Sequence, residues 1–163
     1  MRRDPRDIER YTASERVNHW SGGMCFILLA LSGLALFHPA LYPLSNLFGG
    51  GVWVRILHPI VGVVMALFYV VMVLRFAALN VMTPVDWEWL SRMGEMVDGN
   101  DENMPEAGKY NGGQKMLFWL LLLCMAVLLL SGIVIWRAYF AAMFPVGVVR
   151  AASLLHAAFA AVM

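Results

Sequence analysis

Four long apolar stretches with very few charges constrain the fold of this chain more than any other feature. They cover residues 20–37, 52–76, 116–136 and 146–163. Even the 18 residues of 20–37 form a helix of about 27 Å, which is long enough to cross the hydrocarbon layer of a membrane. With 61% hydrophobic and 14% charged residues, the chain is also far more apolar than a soluble domain. The sequence therefore predicts an all-α membrane protein, a bundle of four transmembrane helices.

Polar residues divide the chain around these stretches. We expect an N-terminal tail, a transmembrane domain and, within that domain, one long polar loop, at residues 1–18, 19–163 and 77–115 respectively. The order Thr12-Ala13-Ser14-Glu15 matches a capping box, so a helix is predicted to start near Thr12. In the loop, Trp87 and Trp89 indicate a short helix lying on the membrane surface.

The fourth apolar stretch ends seven residues after His156. A transmembrane helix needs about 20 apolar residues, so we expect this fourth helix to be incomplete in the chain and to continue beyond Met163. Pro59 lies early in the second stretch, where it either starts the regular helix or kinks it.

The distribution of basic residues predicts the orientation in the membrane. After alternate crossings, three basic residues, Arg55, Arg137 and Arg150, fall on one side. Nine fall on the other, in the tail and in or beside the long loop: Arg2, Arg3, Arg6, Arg10, Arg16, Arg75, Arg92, Lys109 and Lys115. Because cytoplasmic loops are enriched in Lys and Arg, we expect the N-terminus and the 77–115 loop to be cytoplasmic.

Histidines inside or beside apolar stretches are the main candidates for function, because an ionisable group in a membrane is costly. The predicted topology places His58 and His156 at the same level and His19 at the opposite level. Two neutral imidazoles on facing helices form a natural axial pair for haem iron. The alternative is that each histidine is hydrogen-bonded to a neighbouring helix. His38, beside Pro39, is interpreted as an interfacial side chain.

Three glycines fall on faces or at levels that these histidines share. Gly62 is one turn after His58, and Gly33 and Gly132 lie near the level of His58 in the first and third stretches. We expect all three to make room for haem. The alternative is ordinary helix–helix contact, for which small residues are common in membranes.

A polar cluster at residues 110–115 precedes the third stretch on the His19 side. Asn111 and Gln114 offer neutral donors and acceptors that suit a carbonyl-bearing ring at the membrane surface. An ordinary loop and helix start explains the same residues.

Four short segments together show a resemblance to a known family. They are residues 10–20, 55–65, 110–115 and 131–137. The chain resembles the gamma subunit of membrane-bound respiratory formate dehydrogenase, a cytochrome b of the b556 type. The resemblance implies a four-helix subunit with two b haems. The haem near the periplasm is then bound by His58 and His156. The haem near the cytoplasm is bound by His19 and by a later histidine of the fourth helix, which the present 163 residues do not include.

The same resemblance implies that quinone is reduced beside the cytoplasmic haem, near Asn111. Gln114 is added to that site from its chemistry alone. The function implied is electron transfer, in the bacterial inner membrane, from an iron–sulfur beta subunit through two haems to menaquinone or ubiquinone. Formate oxidation belongs to a molybdenum or tungsten alpha subunit, because this chain lacks cysteine clusters.

Two alternatives remain open at this point. One is the cytochrome b subunit of a nickel–iron hydrogenase or a related reductase, which has the same plan of four helices and two haems. The other is a haem-free membrane anchor or transporter subunit. A haem spectrum distinguishes a haem-free anchor from either cytochrome b. The identity of the partner subunits distinguishes a hydrogenase cytochrome b from a formate dehydrogenase cytochrome b.

Overall fold

The computed structural model describes residues 10–100 and 102–163, and within these residues it contains helices and no strand. The orientation prediction rests in part on Arg2, Arg3 and Arg6, which lie outside the described residues. The α-helices are α1 (Ala13–Phe37), α2 (Gly51–Phe76), α3 (Pro84–Ser91), α4 (Met93–Val97), α5 (Gly112–Ile135) and α6 (Val146–Val162). Three short 3₁₀ helices connect them, at Pro39–Phe48, Ala77–Asn80 and Ala141–Met143.

Three helical segments of the described chain are long and apolar enough to cross a membrane. They are Ala13–Phe37 with 25 residues, Gly51–Asn80 with 30 residues and Gly112–Ile135 with 24 residues. Large apolar side chains such as Leu74 and Leu130 are exposed on them, as lipid contact requires. The all-α membrane class is therefore confirmed, whereas α6 has only 17 residues, so the count of four spans stays a prediction.

Helix α1 begins where the capping box predicts. The Thr12 hydroxyl accepts a hydrogen bond from Glu15 N, and Glu15 Oε2 accepts one from Thr12 N at 2.6 Å. The helix thus starts several residues before the apolar stretch, and its first turns belong to the polar tail. Pro59 lies inside α2, so it does not start that helix.

The chain divides into two compact units, residues 1–72 and 73–163. In the first unit, Asn18 near the N-terminal end of α1 contacts α2. Its Nδ2 donates to the Phe68 carbonyl at 3.1 Å. In the second unit, α5 packs against α6 and α3.

The polar loop contains the predicted short helix, α3. Its Trp89 is buried and its Trp87 is 62% exposed, so the two tryptophans have different surroundings. The Trp89 ring packs on Gly113 at the start of α5, where an added Cβ would lie 2.9 Å from it. Helix α3 is thereby fixed to α5, and its position at a membrane surface stays a prediction.

Candidate functional site

The side chain of His58 is held against α1 by two consecutive residues, Ser32 and Gly33. Ser32 Oγ lies 2.8 Å from His58 Nδ1. A Cβ added at Gly33 would lie 3.3 Å from His58 Cε1, which is closer than the usual separation of non-bonded carbon atoms. Ser32 is 2% exposed. The serine therefore holds one ring nitrogen, and the glycine provides the space for the ring edge.

The second unit builds the same arrangement around His156. Ser131 Oγ lies 3.0 Å from His156 Nδ1, and a Cβ at Gly132 would lie 3.3 Å from His156 Cε1. Ser131 is 6% exposed. A long apolar helix thus presents a buried serine and the glycine after it to a histidine of the helix that it contacts, once in each unit.

Sequence reasoning did not assign a role to the two serines, although a signal for them exists. Leu-Ser-Gly followed by an aliphatic residue occurs at residues 31–34 and 130–133. The serine precedes the histidine by 26 residues in the first unit and by 25 in the second. A motif that occurs twice, each time at nearly the same distance before a histidine, predicts two helix pairs with the same contact.

The three glycines predicted to pack against haem differ in their contacts. Gly33 and Gly132 lie against the imidazole rings. A Cβ at Gly62 would lie 3.9 Å from Leu29 Cδ2, which is an ordinary van der Waals separation between α2 and α1. Contact of any of the three with haem stays a prediction.

His38 and His19 have surroundings different from those of His58 and His156. His38 is exposed between α1 and the following 3₁₀ helix, and its Nδ1 accepts a hydrogen bond from Ala40 N at 3.2 Å. This capping bond agrees with an interfacial role. His19 is exposed on α1, with its ring edge-on to Trp20 at 6.0 Å between centroids. Asn18, beside it, ties this level of α1 to α2.

Asn111 and Gln114 form the N-terminal capping box of α5. Asn111 Oδ1 accepts from Gln114 N at 2.9 Å, and Gln114 Oε1 accepts from Asn111 N at 3.1 Å. The helix-start interpretation of this cluster is therefore correct. Because the box uses only the side-chain oxygens, the two amide NH₂ groups are the donors with which these residues would bind a carbonyl.

A buried ion pair fixes the first turn of α5 to α3. Lys115 Nζ donates to Asp86 Oδ2 at 2.7 Å and to the Val81 carbonyl at 3.2 Å. Burial favours a raised pKa for Asp86, but hydrogen bonds from Lys115 and Thr83 outweigh it and lower the pKa. Gly112 is required here, because a Cβ would collide with the Asp86 carbonyl oxygen. This anchor joins residues 29 positions apart, and no local sequence pattern predicts it.

Residues 10–163 match the family described as prokaryotic cytochrome b561. The chain belongs to the prokaryotic cytochrome b561 family. It is 42% identical over 151 residues to the cytochrome b556(Fdn) subunit of nitrate-inducible formate dehydrogenase from Escherichia coli K12, covering 93% of this chain and 70% of the relative. It is 43% identical over 155 residues to the cytochrome b556(fdo) subunit of formate dehydrogenase from the same organism, covering 95% and 72%.

A third relative is the cytochrome b556 subunit of formate dehydrogenase from Haemophilus influenzae, with 36% identity over 151 residues, or 93% of this chain and 63% of the relative. The resemblance to a formate dehydrogenase cytochrome b556 subunit is thus confirmed. Membership of a cytochrome b family also implies haem b, which disfavours the haem-free alternative.

The described histidines fit this cofactor by their chemistry. In His58 and in His156, Nδ1 is hydrogen-bonded to a neutral serine hydroxyl. The other ring nitrogen, Nε2, is the one that could bind iron. Neutral imidazole is a common axial ligand of haem iron. Each unit thus contains a histidine of the donor type that haem iron takes.

Proposed function

We propose that this chain is the cytochrome b subunit of a membrane-bound formate dehydrogenase complex that reduces quinone. The observation that carries the proposal is the identity of 42% and 43% to two formate dehydrogenase cytochrome b556 subunits over more than nine-tenths of the chain. The serine hydroxyl at Nδ1 of each of His58 and His156 is compatible with ligation through Nε2. The names of the relatives above favour formate dehydrogenase over hydrogenase. Formate oxidation is assigned to a molybdenum or tungsten alpha subunit, with an iron–sulfur beta subunit between that subunit and this chain.

His58 and His156 are proposed to bind one haem at the periplasmic level, and His19 to supply one ligand to a second haem at the cytoplasmic level. Haem b, when bound, supplies one-electron Fe(III)/Fe(II) chemistry, which suits transfer between an iron–sulfur cluster and quinone. An apolar membrane span disfavours a charged imidazole, so the long apolar helices suit neutral histidine ligands. The four histidines of residues 1–163 are His19, His38, His58 and His156, and the proposal assigns none of the other three as the second ligand of the His19 haem.

Quinone is proposed to bind at the first turn of α5. The amide NH₂ groups of Asn111 and Gln114 would donate to one quinone carbonyl, where negative charge develops during reduction. The Asp86–Lys115 ion pair holds this turn in place, so the donors are positioned before quinone arrives. Pre-positioned donors lower the cost of reorganisation during the reaction.

The complex is proposed to lie in the bacterial inner membrane with the N-terminus of this chain in the cytoplasm. The support is the excess of nine basic residues over three on the side that carries the tail and the 77–115 loop. This orientation places Asn111 at the cytoplasmic level and His58 at the periplasmic level.

The assignment is tested by purifying the affinity-tagged chain in its native complex and mixing it anaerobically with possible electron donors. We expect molybdenum or tungsten and iron–sulfur subunits to co-purify, and formate to reduce the b-type α-band within the turnover time of the complex. Reduction by hydrogen gas but not by formate would assign the chain to a hydrogenase instead.

A further inference from the structure

We propose that Ser32 and Ser131 are positioning residues that fix the tautomers of His58 and His156, so that each ring presents an unprotonated Nε2 to haem iron. The inference rests on the proposed haem ligation by these histidines. It assigns to the serines a role beyond helix contact, because it links their hydroxyl groups to the redox properties of the bound haem.

The position of the single hydroxyl proton of Ser32 decides the direction of its bond to His58. Ser32 Oγ lies 2.7 Å from the Leu28 carbonyl oxygen and 2.8 Å from His58 Nδ1. A carbonyl oxygen only accepts, so the proton at the first contact must come from the serine. Ser32 Oγ is then the acceptor at the second contact, and His58 Nδ1 carries the hydrogen.

Ser131 repeats this proton arrangement. Its Oγ lies 2.6 Å from the Val127 carbonyl oxygen and 3.0 Å from His156 Nδ1. The serine again donates to its own helix and accepts from the ring. In both histidines the hydrogen then lies on Nδ1, so in the neutral ring that ligates iron the lone pair lies on Nε2.

His38 provides an internal contrast. Its Nδ1 accepts a hydrogen bond from the backbone N–H of Ala40, so Nδ1 carries the lone pair. The neutral ring then has its hydrogen on Nε2, which is the opposite tautomer. The histidine that sequence reasoning left without a haem role is also the one whose surroundings select the tautomer unsuited to ligation through Nε2.

The serine bonds have a consequence for the ligands themselves. A partner that accepts the second N–H of a ligating imidazole fixes the ring orientation and makes the imidazole more basic. A more basic ligand favours ferric over ferrous iron. Removing either hydroxyl should therefore raise the midpoint potential of the haem that these histidines bind, without any change of ligand.

The test uses Ser32→Ala and Ser131→Ala in the haem-loaded complex, with Ser153→Ala as the matched control. Ser153 Oγ donates to the Val149 carbonyl at 2.9 Å on the exposed side of α6, so its loss removes the same kind of helix bond without a histidine partner. The measurements are haem per chain, the ferric low-spin EPR signals and a redox titration that resolves the haems.

We expect both test variants to keep their haem. In each, the Fe(III)/Fe(II) equilibrium of one haem should shift toward ferrous by roughly tenfold, which raises its midpoint potential by about 59 mV for one electron. Ser153→Ala should leave potentials and EPR signals unchanged. Wild-type potentials and signals in both test variants, or an equal shift in Ser153→Ala, would overturn the inference while leaving haem ligation intact.

If Ser32→Ala loses haem, Ser32→Thr decides, because threonine keeps the hydroxyl. Haem with the wild-type potential in Ser32→Thr supports the inference, and continued loss of haem overturns it. A complex with no haem in the wild type would instead contradict the proposed function, so the two failures are distinguishable.

Discussion

Replacing Gly132 by alanine tests how closely α5 fits the ring of His156. The new Cβ would lie 3.3 Å from Cε1 and 3.7 Å from Nδ1. Non-bonded carbon atoms prefer about 3.5–4.0 Å, so the ring or the helix must move by a few tenths of an ångström. The ring is bonded to Ser131 at 3.0 Å, and such a movement takes this bond to the limit of hydrogen-bond distance.

The size of the effect follows from two opposing terms. Forcing a methyl group into a packed contact costs about 1–3 kcal/mol, whereas alanine is favoured over glycine in a helix by about 1 kcal/mol. Gly147, in the first turn of α6, is a matched control because nothing lies within 4 Å of its added Cβ. Gly132→Ala should therefore be less stable than Gly147→Ala by about 1–3 kcal/mol.

The assay is thermal unfolding of the haem-loaded protein in detergent, followed by the Soret band and by haem quantification. We expect Gly132→Ala to release haem at a lower temperature than wild type, and Gly147→Ala to match or slightly exceed wild type. Equal haem release in the two variants would refute the claim that glycine at 132 makes room for the imidazole ring.

Three further predictions concern the polar ends of the helices. Lys115→Met leaves Asp86 buried without its cation and should destabilise the α3–α5 contact by about 3–5 kcal/mol, measured as protease sensitivity of the loop. Because the pKa of Asp86 is lowered from 3.8, the ion pair stabilises the protein above that pH and its contribution is lost as the pH falls through the lowered value. The difference in protease sensitivity between Lys115→Met and wild type should therefore shrink at such low pH. Asn111→Ser keeps the helix cap but removes the amide NH₂, so quinone reduction should slow several-fold while haem content is unchanged. Thr12→Ala should cost about 1 kcal/mol, seen as faster hydrogen exchange in the first turn of α1.

Each of these predictions has a contrary outcome. The control for Lys115→Met is Glu88→Gln, which removes the exposed ion pair between Glu88 and Arg92, whose side chain is 38% exposed. This control should change stability by no more than about 0.5 kcal/mol. Equal protease sensitivity in this control and in Lys115→Met would contradict the anchoring role of the buried pair. Loss of haem in Asn111→Ser would make that residue structural, and unchanged exchange in Thr12→Ala would contradict its role as a cap.

The helices could be predicted from sequence because local features determine them. The long apolar stretches and the Thr12–Glu15 capping box act over a few residues, and α1 begins where the box places it. The sequence shows Asn111 and Gln114 as part of a polar cluster, but their capping geometry depends on backbone conformation. For that reason the sequence left the helix start and the ligand site equally open.

The supports of the histidines could not be predicted in the same way. Which residue of α1 meets His58 depends on the rotation and register of two helices, and neither is encoded by apolar composition alone. Small residues are common in membrane helices, so the sequence alone does not distinguish Ser32 from them. Its contact with His58 Nδ1 does. The Asp86–Lys115 pair likewise depends on the path of the loop between them.

The most direct test of the account is the haem content of single histidine variants in the full complex. Reduced-minus-oxidised spectra and pyridine haemochrome quantification should give two b haems per chain in the wild type. We expect His58→Ala and His156→Ala each to lose the same one of the two, with loss of the same EPR signal, and His38→Ala to keep both. Unchanged haem content in both His58→Ala and His156→Ala would contradict the assignment of these residues as haem ligands.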